Sequence, residues 1–139
     1  RQRPQAKFRD VTWPLAIVNH QGKILLRRRQ ADGLLAKLWE LPGTEIEPAA
    51  KIETAIGKEL SPLSVAGLVP LRLGELRHSI THRRIHAPVL LYRWPTKRTA
   101  PWKQHNWRWI APSQLHRYAT SSMTAKAVKL FLDYEKSPT

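Results

Sequence analysis

Two apolar runs, Ser64–Leu76 and Ile85–Trp94, enclose the stretch Arg77-His78-Ser79-Ile80-Thr81-His82-Arg83-Arg84. Both runs read as strands, so the stretch between them is the turn of a long hairpin, and the rest of the chain must supply a sheet and core to seat it. Eight consecutive positions hold two imidazoles, two hydroxyls, one bulky apolar side chain and three guanidiniums. A turn that sheds core residues and gathers such groups is where a rigid scaffold carries function. The plain alternative is a solvated hairpin tip. Pro88 lacks a backbone donor, which places the return strand at a sheet edge or a bulge.

The remaining chain supplies one core. At 139 residues with 42% hydrophobic content, it reads as a single globular domain. Residues 11–136 form the expected folded unit, 1–10 the end of a linker and 137–139 a tail. Val11–Val18 is an aliphatic strand broken by Thr12, Trp13 and Pro14. After a turn at Asn19–Gly22, Lys23–Arg28 returns to complete a first hairpin. Arg27-Arg28-Arg29 closes it, either as a solvated strand end or as a phosphate contact. Ala31–Gly43 reads as a packed loop, with Leu34 and Leu35 as core or as a ligand wall. Ala49–Leu60 is a helix with Ile52, Ile56 and Leu60 on one stripe, and Pro62 ends it. Pro95–Gln104 is a polar loop carrying Trp102. Asn106–Ile110 places Trp107 and Trp109 on one strand face and Arg108 on the other. Pro112–His116 starts a short helix. Ser121 or Ser122 caps a last helix striped by Met123, Ala127, Leu130, Phe131 and Tyr134. Trp39, Trp94 and Trp109 sit in patterns that imply burial.

A formal charge of +14 favours a polyanionic partner, with nucleic acid the default and solubility charge the alternative. No apolar run approaches bilayer length, so no membrane partner is expected. There is no cysteine, hence no disulfide, thiolate metal site or iron–sulfur cluster in these residues. No cofactor is expected in the chain, and a cytoplasmic location (nucleoid-associated if bacterial) is compatible with that. His78, His82 and His86 are four apart but run through a turn and a strand, which separates them as metal ligands. No GxSxG elbow or HExxH pair occurs.

The run Gly33-Leu34-Leu35-x-x-Leu38-Trp39-Glu40-Leu41-Pro42-Gly43 resembles that of the Nudix-like C-terminal domain of A/G-mismatch adenine DNA glycosylases, the MutY family. Gly74-Glu75-Leu76-Arg77-His78-Ser79-Ile80-Thr81-His82 is similar to the same family's HxFSH loop. Arg108-Trp109 and Ser121-Ser122-Met123-Thr124 resemble its last strand and last helix cap. The likeness spans nearly the whole chain. It implies an α+β fold of Nudix type, an α/β/α sandwich with a mixed curved sheet and two main helices.

The hydrolase signature of Nudix enzymes places several glutamates on one helix to hold magnesium beside a diphosphate. Counting from Gly43, its first glutamate falls on Ala49, its Arg-Glu pair on Gly57-Lys58 and its Glu-Glu pair on Ser61-Pro62. A shift by one recovers Lys58-Glu59-Leu60 but sets Pro62 and Leu63 in the Glu-Glu places. From this the chain alone is expected to be no enzyme, with no catalytic and no metal-binding residues. The parent protein would be the hydrolase, an adenine glycosylase, with an iron–sulfur cluster only in a separate N-terminal catalytic domain in cis. The rival expectation is a divergent Nudix pyrophosphatase acting on oxidised nucleoside triphosphates through a rearranged metal site.

The resemblance implies that the hairpin reads 8-oxoguanine paired with adenine in double-stranded DNA, as base-excision repair requires. His78, Ser79, Ile80, Thr81 and His82 are then the lesion-binding residues. Thr81 matches the family's serine, Ile80 its wedging phenylalanine and His82 its histidine. Oxidation turns the purine's N7 into a donor, and a hydroxyl oxygen accepts from it; such contacts discriminate by about 1–3 kcal/mol. Arg77, Arg83 and Arg84 are the phosphate-contacting candidates, and three such contacts give a log–log salt slope of roughly −3.

Overall fold

The computed structural model describes residues 7–28, 37–61, 63, 65, 67–95 and 106–137. Expectations for Arg29, Leu34, Leu35, Pro62, Trp102 and most of the Pro95–Gln104 loop fall outside these residues.

Seven strands form one mixed sheet: β1 (Arg9–Thr12), β2 (Leu15–His20), β3 (Lys23–Arg28), β4 (Trp39–Glu40), β5 (Leu71–Ile80), β6 (Arg83–Arg93) and β7 (Trp107–Ile110). Two helices, α1 (Ile52–Glu59) and α2 (Ser122–Lys136), and a 3-10 helix over Pro112–Arg117 complete the described fold. The β2–β3 turn needs left-handed backbone at both central positions, and Gln21 (φ 51°) and Gly22 (φ 77°) provide it. The N–H of Thr124 donates to Ser121 Oγ at 3.3 Å, so Ser121 is the cap of α2.

β6 is an interior strand. It pairs antiparallel with β5 along one side and parallel with β1 and then β2 along the other. Of the edge or bulge that Pro88 implies, the edge is not found, but a register shift between Arg72 and Gly74 sets a bulge in β5 beside Pro88. The register explains the tolerance. Pairing with β1 ends at His86 and pairing with β2 begins at Val89, so Pro88 lies at the handover. A donor is not needed where the neighbouring strand breaks at Trp13-Pro14.

Alternation along the strands sends side chains to two cores, one on each face. Leu15, Ile17, Ile24, Leu26, Ile85, Ala87, Val89 and Leu91 meet Met123, Ala127, Val128 and Phe131 of α2. Ala16, Val18, Leu25, Leu90 and Tyr92 meet Ile56 of α1, with Leu60 and Leu63. The architecture is therefore the expected α+β sandwich, helix on either side of a mixed sheet. α1 is shorter than Ala49–Leu60 and β5 starts later than Ser64, because 67–70 run without ladder pairing. No helix among the described residues is long and apolar enough to cross a membrane.

Candidate nucleic-acid interface

The β5–β6 ladder runs closer to its tip than the apolar runs imply. Of the Arg77–Arg84 stretch only Thr81 and His82 form the turn; Arg77–Ile80 end β5, and Arg83 and Arg84 begin β6. The register divides the eight residues among three places. Ser79 pairs with Arg84 and Arg77 with His86, and these side chains share the sheet face opposite α2. His78 pairs with Ile85 and Ile80 with Arg83, on the face that α2 covers. Thr81 and His82 stand exposed at the tip.

Thr81 is strained. Its φ is 52°, a conformation that β-branched residues rarely adopt. Its hydroxyl donates to the Ile80 carbonyl at 2.7 Å, which leaves the oxygen as an acceptor. Ile80 packs partly against the α2-side core, so it does not project from the tip as the wedge the resemblance implies. His78 is half-buried between β5 and α2. Its Nε2 lies 3.4 Å from Ser122 Oγ and its Nδ1 3.4 Å from Lys126 Nζ. Burial, and then the Lys126 charge, push its pKa below the ordinary value of 6.5. It is a neutral ring that ties the hairpin to α2.

Sequence reasoning missed three neighbours of the tip: Phe8, Asp10 and His86. β1 runs beside β6, and the Arg9 N–H donates to the His82 carbonyl at 2.7 Å. That contact carries the exposed Phe8 ring to the hairpin tip. The Arg84 guanidinium lies 4.8 Å from the Phe8 ring centre, and the His82 ring meets Phe8 edge-on at 6.3 Å. Asp10 holds Arg84 at 3.8 Å and His86 at 3.2 Å. The signal lay in the parallel pairing of β1 with β6, which a single sequence does not reveal. The result is an open face with Arg77, Ser79, Arg84 and Phe8 around the strained Thr81.

Within the charge run at the end of β3, Arg28 is exposed, as a solvated strand end implies, whereas Arg27 is turned inward. Arg27 is part-buried and bonded to Glu40 (3.0 Å), Glu59 (2.8 Å) and the Gly43 carbonyl (2.8 Å). Arg28 and Arg108 lie over the Trp39 ring at 5.9 and 5.4 Å. Trp39 and Trp94 are buried as expected. Glu59 is the signature glutamate that the shifted count recovers, and Glu40 joins it from β4. Magnesium needs several hard oxygen ligands with room for water. Here both carboxylates are already engaged by a guanidinium, and among the described residues no group of three or more His, Asp or Glu side chains converges. These residues as placed do not fit a magnesium ion. An open groove of about 510 Å³ lies at the far end of β6, with Glu53, Ser61, Leu68 and Tyr92 in its wall. Burial, then Glu53, push the Tyr92 hydroxyl up to about 12.

A family model described as the Nudix domain matches residues 14–130. The chain belongs to the Nudix domain family. Among solved structures, this Nudix domain is similar to the C-terminal domain of mouse MUTYH, solved in complex with human PCNA. The identity is 25% and the TM-score 0.74, over 94% of this chain and 92% of that one. It also shares its fold with the MutT protein of Methanosarcina mazei Go1, at 17% identity and a TM-score of 0.73, over 96% and 100% of the two chains. The Escherichia coli dihydroneopterin triphosphate pyrophosphohydrolase matches at 14% and 0.67, over 86% and 93%.

These findings correct the expectation that the chain alone is no enzyme. The family match, with Nudix hydrolases recurring among the structures that share the fold, points to a hydrolase. The expectation rested on one count of glutamates along one helix, whereas the family match spans residues 14–130.

Proposed function

We propose that this Nudix domain reads an oxidised purine, 8-oxoguanine opposite adenine in double-stranded DNA, with the tip of the β5–β6 hairpin. One observation carries the reading. The Thr81 hydroxyl gives its proton to the Ile80 carbonyl, so its oxygen is held as an acceptor. 8-Oxoguanine presents an N7–H donor to such an oxygen, whereas guanine presents an acceptor and meets repulsion. Strain at an exposed turn is characteristic of functional loops. The open face beside it, with Arg77, Arg84 and Phe8, suits a phosphate backbone, and the +14 charge supplies long-range attraction. Arg83, at the start of β6, adds to the same field.

The likeness to the mouse MUTYH domain supports this reading, and that domain's complex with PCNA adds a protein partner to the proposal. An N-terminal catalytic domain in cis would flip and excise the adenine. The test compares binding to duplexes holding 8-oxoguanine:A and G:A. Thr81→Ala should shrink the preference, and Arg83→Ala should weaken both duplexes alike through the loss of field. An unchanged preference in Thr81→Ala defeats the role given to Thr81.

A second reading is the one the comparisons favour: a Nudix pyrophosphatase that acts on oxidised nucleoside triphosphates. The family match and the hydrolases of the same fold support it. The same acceptor at Thr81 would then select the oxidised base of a free nucleotide. Incubation with 8-oxo-dGTP and magnesium separates the two. Turnover at enzymatic rates with no duplex preference establishes the second; a preference for the 8-oxoguanine:A duplex supports the first.

A further inference from the structure

Arg27 lies on the third strand of the sheet, between β4 and β7. Its guanidinium reaches three oxygens that belong to three separate segments: Glu40 of β4, Glu59 of α1 and the Gly43 carbonyl of the connecting loop. Nε also donates to Glu40, at 3.3 Å. The side chains of Arg27, Glu40 and Glu59 keep only 18%, 13% and 27% of their surface, so water screens them little. Two carboxylates and a backbone carbonyl are the hard-oxygen set that a divalent cation takes. A planar guanidinium with its fork of donors meets the same oxygens.

We propose that Arg27 is a built-in cation. It occupies the place a divalent ion would take among Glu40, Glu59 and Gly43, and it fastens α1 to the 40–43 loop without metal. The inference is independent of what the hairpin binds. It gives Glu59 a role in a Nudix domain without the full glutamate set: removing the carboxylate would leave a part-buried guanidinium short of its counter-charge.

The test uses Arg27→Ala, Arg27→Lys and the Arg27→Ala/Glu59→Gln double variant. Thermal unfolding is followed with millimolar MnCl2 or MgCl2 against NaCl of equal ionic strength, and bound Mn²⁺ is read by electron paramagnetic resonance. The whole protein should show no specific response to either metal. Arg27→Ala should melt lower, and Mn²⁺ should raise its midpoint by about 3 °C or more and become bound. Arg27→Lys, which keeps the charge, should show no metal response, and Glu59→Gln should abolish the response of Arg27→Ala. If Arg27→Ala is unfolded without metal, Mn²⁺ must refold it. A wild-type chain that takes up Mn²⁺ as readily as Arg27→Ala overturns the proposal, as does an Arg27→Ala chain that Mn²⁺ neither stabilises nor refolds.

Discussion

Thr81 donates its hydroxyl proton to the carbonyl of Ile80, the residue before it, while its own backbone is held at φ 52°. The two facts separate stability from recognition. Thr81→Gly removes about 1–2 kcal/mol of backbone strain and adds about 0.5–1 kcal/mol of unfolded-chain freedom. The folded state should gain about 0–1.5 kcal/mol in urea unfolding. The lesion preference should fall at the same time, because the acceptor oxygen is gone. A loss of stability in Thr81→Gly would mean that the turn depends on the hydroxyl rather than strains against it.

Ile80 and Phe8 should behave in opposite ways. Ile80 packs partly against the α2-side core, so Ile80→Ala should cost about 1 kcal/mol of stability, less than a fully buried truncation, and leave the lesion preference intact. Phe8 is exposed at 47% and stands under Arg84. Phe8→Ala should change stability by no more than about 0.5 kcal/mol and weaken duplex binding about fivefold, the worth of one modest ring contact. Urea unfolding and duplex titration on the same two proteins check both statements.

The sandwich was legible because period-two apolar runs and striped helices specify which faces must be covered, and β2, β3, β6 and α2 appear where those patterns lie. The hairpin was legible for the same reason, with Thr81 and His82 at its tip. The partners of the tip were not. Phe8 and Asp10 lie more than seventy positions from Arg84 and reach it only through parallel pairing, which leaves no local mark. Arg27 was misread because a run of three arginines looks like solvated charge, and the acids that bury one of them come from β4 and α1. Pro88 left edge and bulge open, and only the register, with its shift between Arg72 and Gly74, decides between them.

The half-buried His78 makes stability depend on pH. Its folded pKa lies below the ordinary 6.5, through burial first and Lys126 second. The unfolded chain therefore binds a proton that the folded chain resists, and stability must fall as pH drops below about 6.5 towards the lower folded value. Above that range the contribution is fully present. His78→Gln should flatten this part of the melting-temperature profile between pH 7.5 and 5, and Lys126→Gln should raise the His78 pKa in an NMR titration. A His78 titration at or above the ordinary value would show that the ring is solvated.

Gly43 and Gly57 should answer the same substitution with opposite signs. A Cβ on Gly43 would overlap the Pro14 carbonyl oxygen and crowd Leu15. Those atoms are backbone and core at the start of β2, where the Ala16 N–H donates to the Pro42 carbonyl at 2.8 Å. The loop cannot retreat without losing that bond or pulling its own carbonyl from Arg27. Gly43→Ala should therefore cost about 2–3 kcal/mol, the range of overpacking with backbone displacement. A Cβ on Gly57 meets nothing within 4 Å, and the residue lies inside α1, where glycine costs about 0.5–1 kcal/mol relative to alanine. Gly57→Ala should stabilise the chain by that amount. Urea unfolding of the two variants, with equal m-values, checks the pair; a mild Gly43→Ala would mean that the 40–43 loop is not pinned between β2 and Arg27.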